Sequence, residues 1–347
     1  MKNVYSLAQS IARAKLKGIP YKLNYAVTYR CNSKCKICNI WKRYSISPEN
    51  QKNELTLSEI DSIFPDFDLT WISLTGGEPF LRKDLADIAL TVKKHNPHLH
   101  MVSIPTNGFL TKIILTITER ILEESEIPNI MVTVSLDGDE QLHDNLRGVK
   151  GAWKKARKTY QLLSSIENDR FSVFLEFTVS KFNAGNLLAA LDSFGVTDYS
   201  HVVLTAAHSS YFYGTDQEDL HENSSASQVK EFLSLCNYSL IEGIIPLVYT
   251  KLLEKNLKDI PFSVNCVSGR SSFFLDPYGV LYPCISMEEP LGNLKESRLQ
   301  EILQGKKARS VVQRIKEGKC PGCWTPCEAY QTILENLPKA VAAAFLK

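Results

Sequence analysis

From Leu23 to Ala207 the chain alternates short β-rich runs with longer stretches of helical period, and this alternation restricts the fold more than any other feature. The runs LNYAVT (23–28), WISLTG (71–76), HMVSIPT (100–106), IMVTVSL (130–136), FSVFLEFTV (171–179) and HVVLTAA (201–207) read as strands. Residues 81–95, 111–124, 151–167 and 184–194 read as helices between them. Apolar strands separated by helices predict a parallel sheet covered by helices, as an open sheet or a partial barrel.

The candidate strands end in polar or glycine-rich sequence. Cys31 to Cys35 follows the first, Gly76-Gly77-Glu78-Pro79 the second, and Thr106-Asn107-Gly108 the third. Asp137-Gly138 follows the fourth, and His208 lies just past the sixth. Catalytic groups of parallel sheets and barrels gather at the carboxyl ends of strands, so function is expected on this edge.

Charge and hydropathy narrow the class. Forty Lys and Arg against 38 Asp and Glu leave a formal charge of +2 over 347 residues, which gives no support to a broad nucleic-acid surface. No apolar run is long enough for a membrane span. The segment Met1 to Tyr21 is basic and amphipathic, with Leu7, Ile11, Ala14 and Leu16 set among Arg13, Lys15 and Lys17. It lacks the apolar core and cleavage site of a secretory signal, so a cytoplasmic protein is expected. A helix packed on the domain is the first reading of this segment, and contact with a membrane surface is the second. The apolar tail Ala340 to Leu346 reads as a docked terminal helix.

Past His208 the chain turns polar, with Tyr211, Phe212 and Tyr213 in a row. A helix is expected over 228–242, followed by a Cys-rich region from Pro261 to Glu328. The expected division is an N-terminal extension (1–22), an α/β core (23–208), a helical linker (209–260), a small Cys-rich domain (261–330) and a C-terminal helix (331–347).

Nine cysteines in a chain of this size without a secretory signal point to metal rather than disulfides. Cys31-x3-Cys35-x2-Cys38 directly follows the first strand. Three thiolates on one tight loop can hold three irons of a [4Fe–4S] cube and leave the fourth open to a cosubstrate. On spacing alone, zinc and unrelated cysteines remain alternatives, although the nearest histidine, His95, is far along the chain. Cys236, in the apolar run FLSLC, reads as a buried core thiol.

Taken with the motifs at the next strand ends, this sequence resembles the radical S-adenosylmethionine (radical SAM) superfamily, whose signature is C-x3-C-x2-C at the end of the first strand of a partial (β/α)6 TIM-like barrel. The resemblance covers roughly Leu23 to Glu328. It implies that Gly76, Gly77, Glu78 and Pro79 form the motif that grips the methionine amino group. It likewise places Thr106, Asn107, Ser135 and Asp137 near the methionine or ribose, and Arg147 on the methionine carboxylate, where a guanidinium fork fits two-pronged. One departure is Ile37, where the superfamily usually has an aromatic residue before the third cysteine; Trp41 is a candidate for the missing ring.

Cys266-x12-Gly279-x4-Cys284 resembles the opening of the superfamily's auxiliary-cluster (SPASM) domain, with the hairpin FFLDPYGVLYPC reaching the second ligand. Cys320-x2-Cys323-x3-Cys327 follows. Five cysteines rather than seven imply the shorter twitch form with one auxiliary [4Fe–4S] cluster. Cys266, Cys284, Cys320 and Cys323 are the expected ligands, with Cys327 left open as an alternative. A structural zinc at the same sulfurs is the competing reading.

The resemblance therefore implies an enzyme that reductively cleaves S-adenosylmethionine and uses the 5′-deoxyadenosyl radical on a peptide or small molecule, with a net oxidation through the auxiliary cluster. A reductase, flavodoxin or ferredoxin would supply electrons. Glu176, Thr178 and His208 are the candidates for substrate contact at the barrel mouth. Ile285 stands where sulfatase-maturing members place an aspartate, and few residues precede the first strand; both features argue against particular peptide substrates. The alternatives are a non-catalytic zinc scaffold and a lipid-modifying radical enzyme at a membrane surface.

Overall fold

The apolar runs form six parallel strands laid side by side in chain order. These are β1 (Lys22–Thr28), β2 (Trp71–Gly76), β3 (Met101–Thr106), β4 (Asn129–Leu136), β5 (Phe171–Val179) and β6 (Val202–Ala206). The computed structural model describes residues 4–215, 220, 224–238 and 243–346. Strand β5 shows why the sheet has two different faces. Phe171, Val173, Leu175, Phe177 and Val179 are buried, while Ser172, Phe174, Glu176 and Thr178 alternate with them on the opposite face. A strand's period of two sends the first set beneath the helices and the second into the barrel. The helices Leu85–His95, Thr111–Glu124, Ala152–Ser164 and Leu187–Phe194 cover the outside, and their apolar faces join one continuous core with the strands.

The six strands make a partial (β/α)6 barrel in which β1 and β6 do not pair. The free edge of β6 is covered by the helix Ile244–Asn256, whose Tyr249 hydroxyl donates to the Leu204 carbonyl at 2.7 Å. Trp324 Nε1 in turn donates to the Tyr249 carbonyl at 3.1 Å. The expected helix over 228–242 is placed differently. One helix runs Ser224–Leu235 and another begins at Ile244, with 239–242 outside the described residues. Cys236, just past the first of these helices, is half-buried against the core rather than fully inside it.

The Cys-rich region extends the same sheet. Strand β7 (Ser272–Leu275) pairs in parallel with β1, from Lys22↔Ser272 to Tyr25↔Leu275. Strand β8 (Val280–Tyr282) and the short β9 (Gly292–Asn293) continue it antiparallel. At both ends the chain docks as helices. In Val4–Lys17, Ile11 and Ala14 pack with Tyr21 and Leu334, and Arg13 pairs two-pronged with Asp68. In Leu337–Phe345, Ala340 and Ala344 are buried. Among the described residues no helix is long and apolar enough to cross a membrane.

Candidate active site

The three-cysteine loop leaves β1 and is held by the carboxyl end of the helix Glu140–Arg147. The last carbonyls of a helix lack intrahelical donors. Here the Leu146 carbonyl accepts from Lys36 N at 2.8 Å, and the Arg147 carbonyl accepts from Lys34 N at 2.9 Å and Ser33 Oγ at 3.1 Å. Gly148 follows at φ +63°, and a Cβ there would stand 2.6 Å from the Lys34 carbonyl. On its other side the loop leans on β2. Gly77 N donates to Thr28 O and Glu78 N to Arg30 O. A Cβ on Gly76 would lie 2.2 Å from Thr28 O, and one on Gly77 would lie 2.0 Å from Arg30 O. The paired glycines thus let β2 and the cysteine loop touch backbone to backbone. Glu54, which no motif singles out, accepts from Thr28 Oγ1, Tyr29 N and the Tyr44 hydroxyl and braces the entry to the loop.

Cys31, Cys35 and Cys38 all line one cavity in the barrel, together with Gly76, Gly77, Thr106, Asn107, Ser135, Arg147, Glu176, Thr178 and His208. Ile37 and Trp41 line it too. Glu78, Pro79 and Asp137 sit behind the wall. The Glu78 carboxyl is buried and takes donors from Asn107 N at 2.7 Å, Thr106 Oγ1 at 2.9 Å and Phe80 N at 3.3 Å. Burial pushes it up to about 7 against the pull of those donors. Asp137 is fully buried and lies 2.5 Å from Arg147 Nε, while Arg147 Nη1 approaches Cys35 Sγ at 3.8 Å. Burial pushes the Cys31 thiol up to about 12, so its thiolate form calls for the positive charge of bound iron.

The cavity also contains groups that sequence reasoning missed. Lys22 and Asn24 of β1, Trp71 and Ser73 of β2, Ser103 of β3 and Thr133 of β4 face it from the strands. Tyr213, held by its carbonyl to Asn39 N at 2.6 Å, reaches it from the aromatic trio. The period-two pattern of the strands carried the signal for the first group. Nothing local marked Tyr213.

The five C-terminal cysteines divide between two cavities. Cys266, Cys284, Cys320 and Cys323 line a cavity of about 750 Å³ beside the barrel, together with Glu328 and Ser286. Burial raises the Cys284 and Cys266 thiols, and the neighbouring thiols of the group add to the rise. Cys327 is absent from that lining and faces the barrel cavity instead. The helix Pro326–Glu335 explains the split: Cys327 and Tyr330, three apart, share its barrel face, while Glu328 and Thr332, four apart, face the cysteine cavity. Four thiols around one space are a donor set that a [4Fe–4S] cube takes in full.

A partial barrel with three cysteines above its first strand and four more ringing a neighbouring cavity defines an iron–sulfur enzyme of the S-adenosylmethionine-cleaving kind. Family models agree: residues 25–179 match the radical SAM superfamily, and residues 266–327 match an iron–sulfur cluster-binding domain of the SPASM type. The chain belongs to the radical SAM superfamily, in the group that carries this second domain, and its cofactors are S-adenosylmethionine and [4Fe–4S] clusters, an auxiliary one included.

Among curated proteins it is 26% identical to a probable GTP 3′,8-cyclase of Archaeoglobus fulgidus, over 85% of this chain and 94% of that protein. It is 24% identical to the antilisterial bacteriocin subtilosin biosynthesis protein AlbA of Bacillus subtilis, over 87% of this chain and 63% of AlbA. It is also 24% identical to an Fe-coproporphyrin III synthase of Methanosarcina barkeri, over 86% of this chain and 79% of that protein. A solved structure, native anSMEcpe with bound AdoMet, superposes with a TM-score of 0.59 at 16% identity over 94% of this chain and 99% of that one, a likeness of fold.

Proposed function

We propose that this enzyme removes a hydrogen atom from a polar small molecule or peptide side chain seated in the barrel cavity between the three-cysteine loop and Glu176. The observation that carries the reading is that one cavity is shared by Cys31, Cys35 and Cys38 and by Glu176, Thr178 and His208. Bound at the loop, the cluster and S-adenosylmethionine supply a 5′-deoxyadenosyl radical able to take hydrogen from an unactivated carbon.

The chain's own residues bind and orient. Backbone carbonyls at Gly76 and Gly77 receive the methionine ammonium. Glu78 holds that edge in place through Thr106 and Asn107, because its oxygens are already taken. Pro79 starts the short turn behind it. Arg147, with Asp137 fixing its orientation, receives the methionine carboxylate. Asn107 and Ser135 would receive the ribose, and Ile37 or Trp41 would offer a surface to adenine. Cys266, Cys284, Cys320 and Cys323 hold the auxiliary cluster as an electron partner, and a flavodoxin, ferredoxin or reductase supplies electrons. A barrel interior of Asn24, Ser73, Ser103, Thr133, Glu176 and Thr205 favours a hydrogen-bonding substrate over a lipid.

The test is 5′-deoxyadenosine formation by anaerobically reconstituted protein given S-adenosylmethionine and dithionite. The expected outcome is formation that is lost when Cys31, Cys35 and Cys38 are changed to Ala. Equal formation by that variant would sink the assignment of the loop.

A further inference from the structure

Of the Lys, Arg, Asp and Glu side chains, the barrel cavity is lined by Lys22, Arg147 and Glu176. Two of these charges are met by other groups of the chain. Arg147 Nε lies 2.5 Å from Asp137. On the floor of the barrel, Lys22 Nζ donates to the Cys327 carbonyl at 2.7 Å and lies over the Trp71 ring at 4.0 Å. Glu176 has neither an ion pair nor a hydrogen bond among the described residues. A carboxyl shielded from bulk water is ordinarily paired, so this one is left for something the cavity takes in.

Two phenols are in the same condition. Tyr213 and Tyr330 line the cavity, and neither hydroxyl makes a hydrogen bond among the described residues. Both stand near Glu176: burial raises each phenol, and the Glu176 charge is among those that add to the rise. All three residues are half-buried rather than sealed in packing.

Three different elements hold them. Glu176 points inward from β5, level with Ser135 of β4 and Val203 of β6. Tyr213 is fixed through its carbonyl, which accepts from Asn39 N at 2.6 Å, and its ring meets His208 edge-on at 5.5 Å. Tyr330 stacks on Trp71 with ring centroids 6.5 Å apart and meets Tyr249 edge-on at 5.0 Å. Side chains held this way need little ordering when a ligand arrives.

We infer that the substrate presents a primary ammonium group to Glu176, with the Tyr213 and Tyr330 oxygens accepting beside it. The inference deepens the function proposed above and rests on it. An ammonium brings three donors and one positive charge. A carboxylate and two phenol oxygens answer with three acceptor groups and one negative charge, and aromatic faces favour a cation over a neutral group. A substrate hydroxyl in the same place would leave the Glu176 charge uncompensated, and a substrate carboxylate would be repelled by it. The substrate class is therefore a primary amine.

The test uses simple probes of that chemistry. Reconstituted holoenzyme saturated with S-adenosylmethionine is titrated by calorimetry at about pH 8, where the Glu176 carboxyl, raised by burial to about 7, is ionised. The probes are n-butylammonium, 1-butanol and butyrate, which share one chain and differ in charge. The ammonium is expected to bind at least about tenfold tighter than the alcohol or the butyrate, the worth of one charge-assisted hydrogen bond. Glu176→Gln should remove that advantage, with iron content measured alongside to show that the variant folds. The amide of Nα-acetyl-lysine carries the same ammonium on a peptide backbone. Binding at least as tight as that of butylammonium supports a peptide side chain as the source of the amine, and weaker binding supports a free small amine.

An ammonium that binds no better than the alcohol, or not at all, overturns the proposal, as does an advantage that survives Glu176→Gln. Loss of S-adenosylmethionine affinity in the variant overturns it also, by placing Glu176 on the cosubstrate. These titrations need no turnover, so the two readings fail separately. Absence of 5′-deoxyadenosine from the wild type counts against the radical reaction, whereas the probe contrast counts for or against the ammonium site.

Discussion

Glu176 stands on the interior face of β5, opposite Ser135 of β4, and looks into the cavity. Burial pushes its carboxyl up to about 7, with Arg147 pulling down and Asp137 pushing up. Between the ordinary value of 4.5 and about 7 the folded chain keeps a proton that the unfolded chain has released. This carboxyl's contribution to stability is therefore complete below about pH 4.5 and is lost as pH rises through 7. Glu176→Gln removes the titration. In urea melts the variant should gain on the wild type by up to about 3 kcal/mol at pH 8, the product of the shift and 1.36 kcal/mol per unit. The gain should vanish toward pH 4, and a difference that stays flat across that range would exclude a raised Glu176. The strand pattern of alternating burial shows in the sequence that Glu176 faces inward. Its pKa does not show there, because the shift arises from burial, with Arg147 opposing and Asp137 adding to it, and only folding brings these together.

At the scale of elements, the contact between the end of β2 and the cysteine loop decides whether the first cluster has a seat. A methyl group on Gly77 would overlap the Arg30 carbonyl, and backbone cannot swing aside as a side chain would. Gly77→Ala is expected to cost at least about 2 kcal/mol. It should also lower iron content toward that of one cube, as read by metal analysis after reconstitution. Gly185 is the control. Its φ is positive, +80°, but a Cβ there meets nothing within 4 Å. Gly185→Ala should cost about 1–2 kcal/mol of backbone strain and leave iron unchanged.

The same scale explains the division of the cysteines. Thr325-Pro326-Cys327-Glu328 carries the marks of a helix start, with Thr before Pro at the first helical position and Glu at the third. That signal was open to reading. It places Cys327 on a helix and Cys320 and Cys323 before it, which is why thiols so close in sequence face different cavities.

Across the whole molecule, the Cys-rich region belongs to the barrel rather than hanging from it. Strand β7 completes the hydrogen bonds of β1. Glu328, 2% exposed, takes donors from Asn24 of β1, Ser268 and Ser272 and so ties the helix Pro326–Glu335 to two neighbouring strands. Burial pushes its carboxyl up, with Lys22 and these donors opposing. Breaking one member of such a network strands the others without partners. Glu328→Ala is expected to cost about 3–5 kcal/mol and to lower a single unfolding transition in calorimetry. Two separated transitions would show instead that the barrel and the cysteine region fold apart.

The linear order of residues was enough to set out six strands, four of the helices between them, the cysteine loop above β1 and the polar strand ends that face the site. These are local properties: period, turn chemistry and short-range spacing are written within a few residues of one another. The pairing of β7 with β1, the plugging of the barrel floor by Tyr330 and Cys327, and the reach of Tyr213 into the cavity join segments hundreds of residues apart. Such contacts are selected by packing and hydrogen-bond satisfaction over the whole chain, which no local pattern encodes. The tertiary structure therefore decided what the sequence left open, that Cys327 lines the barrel cavity while the other four thiols line its neighbour.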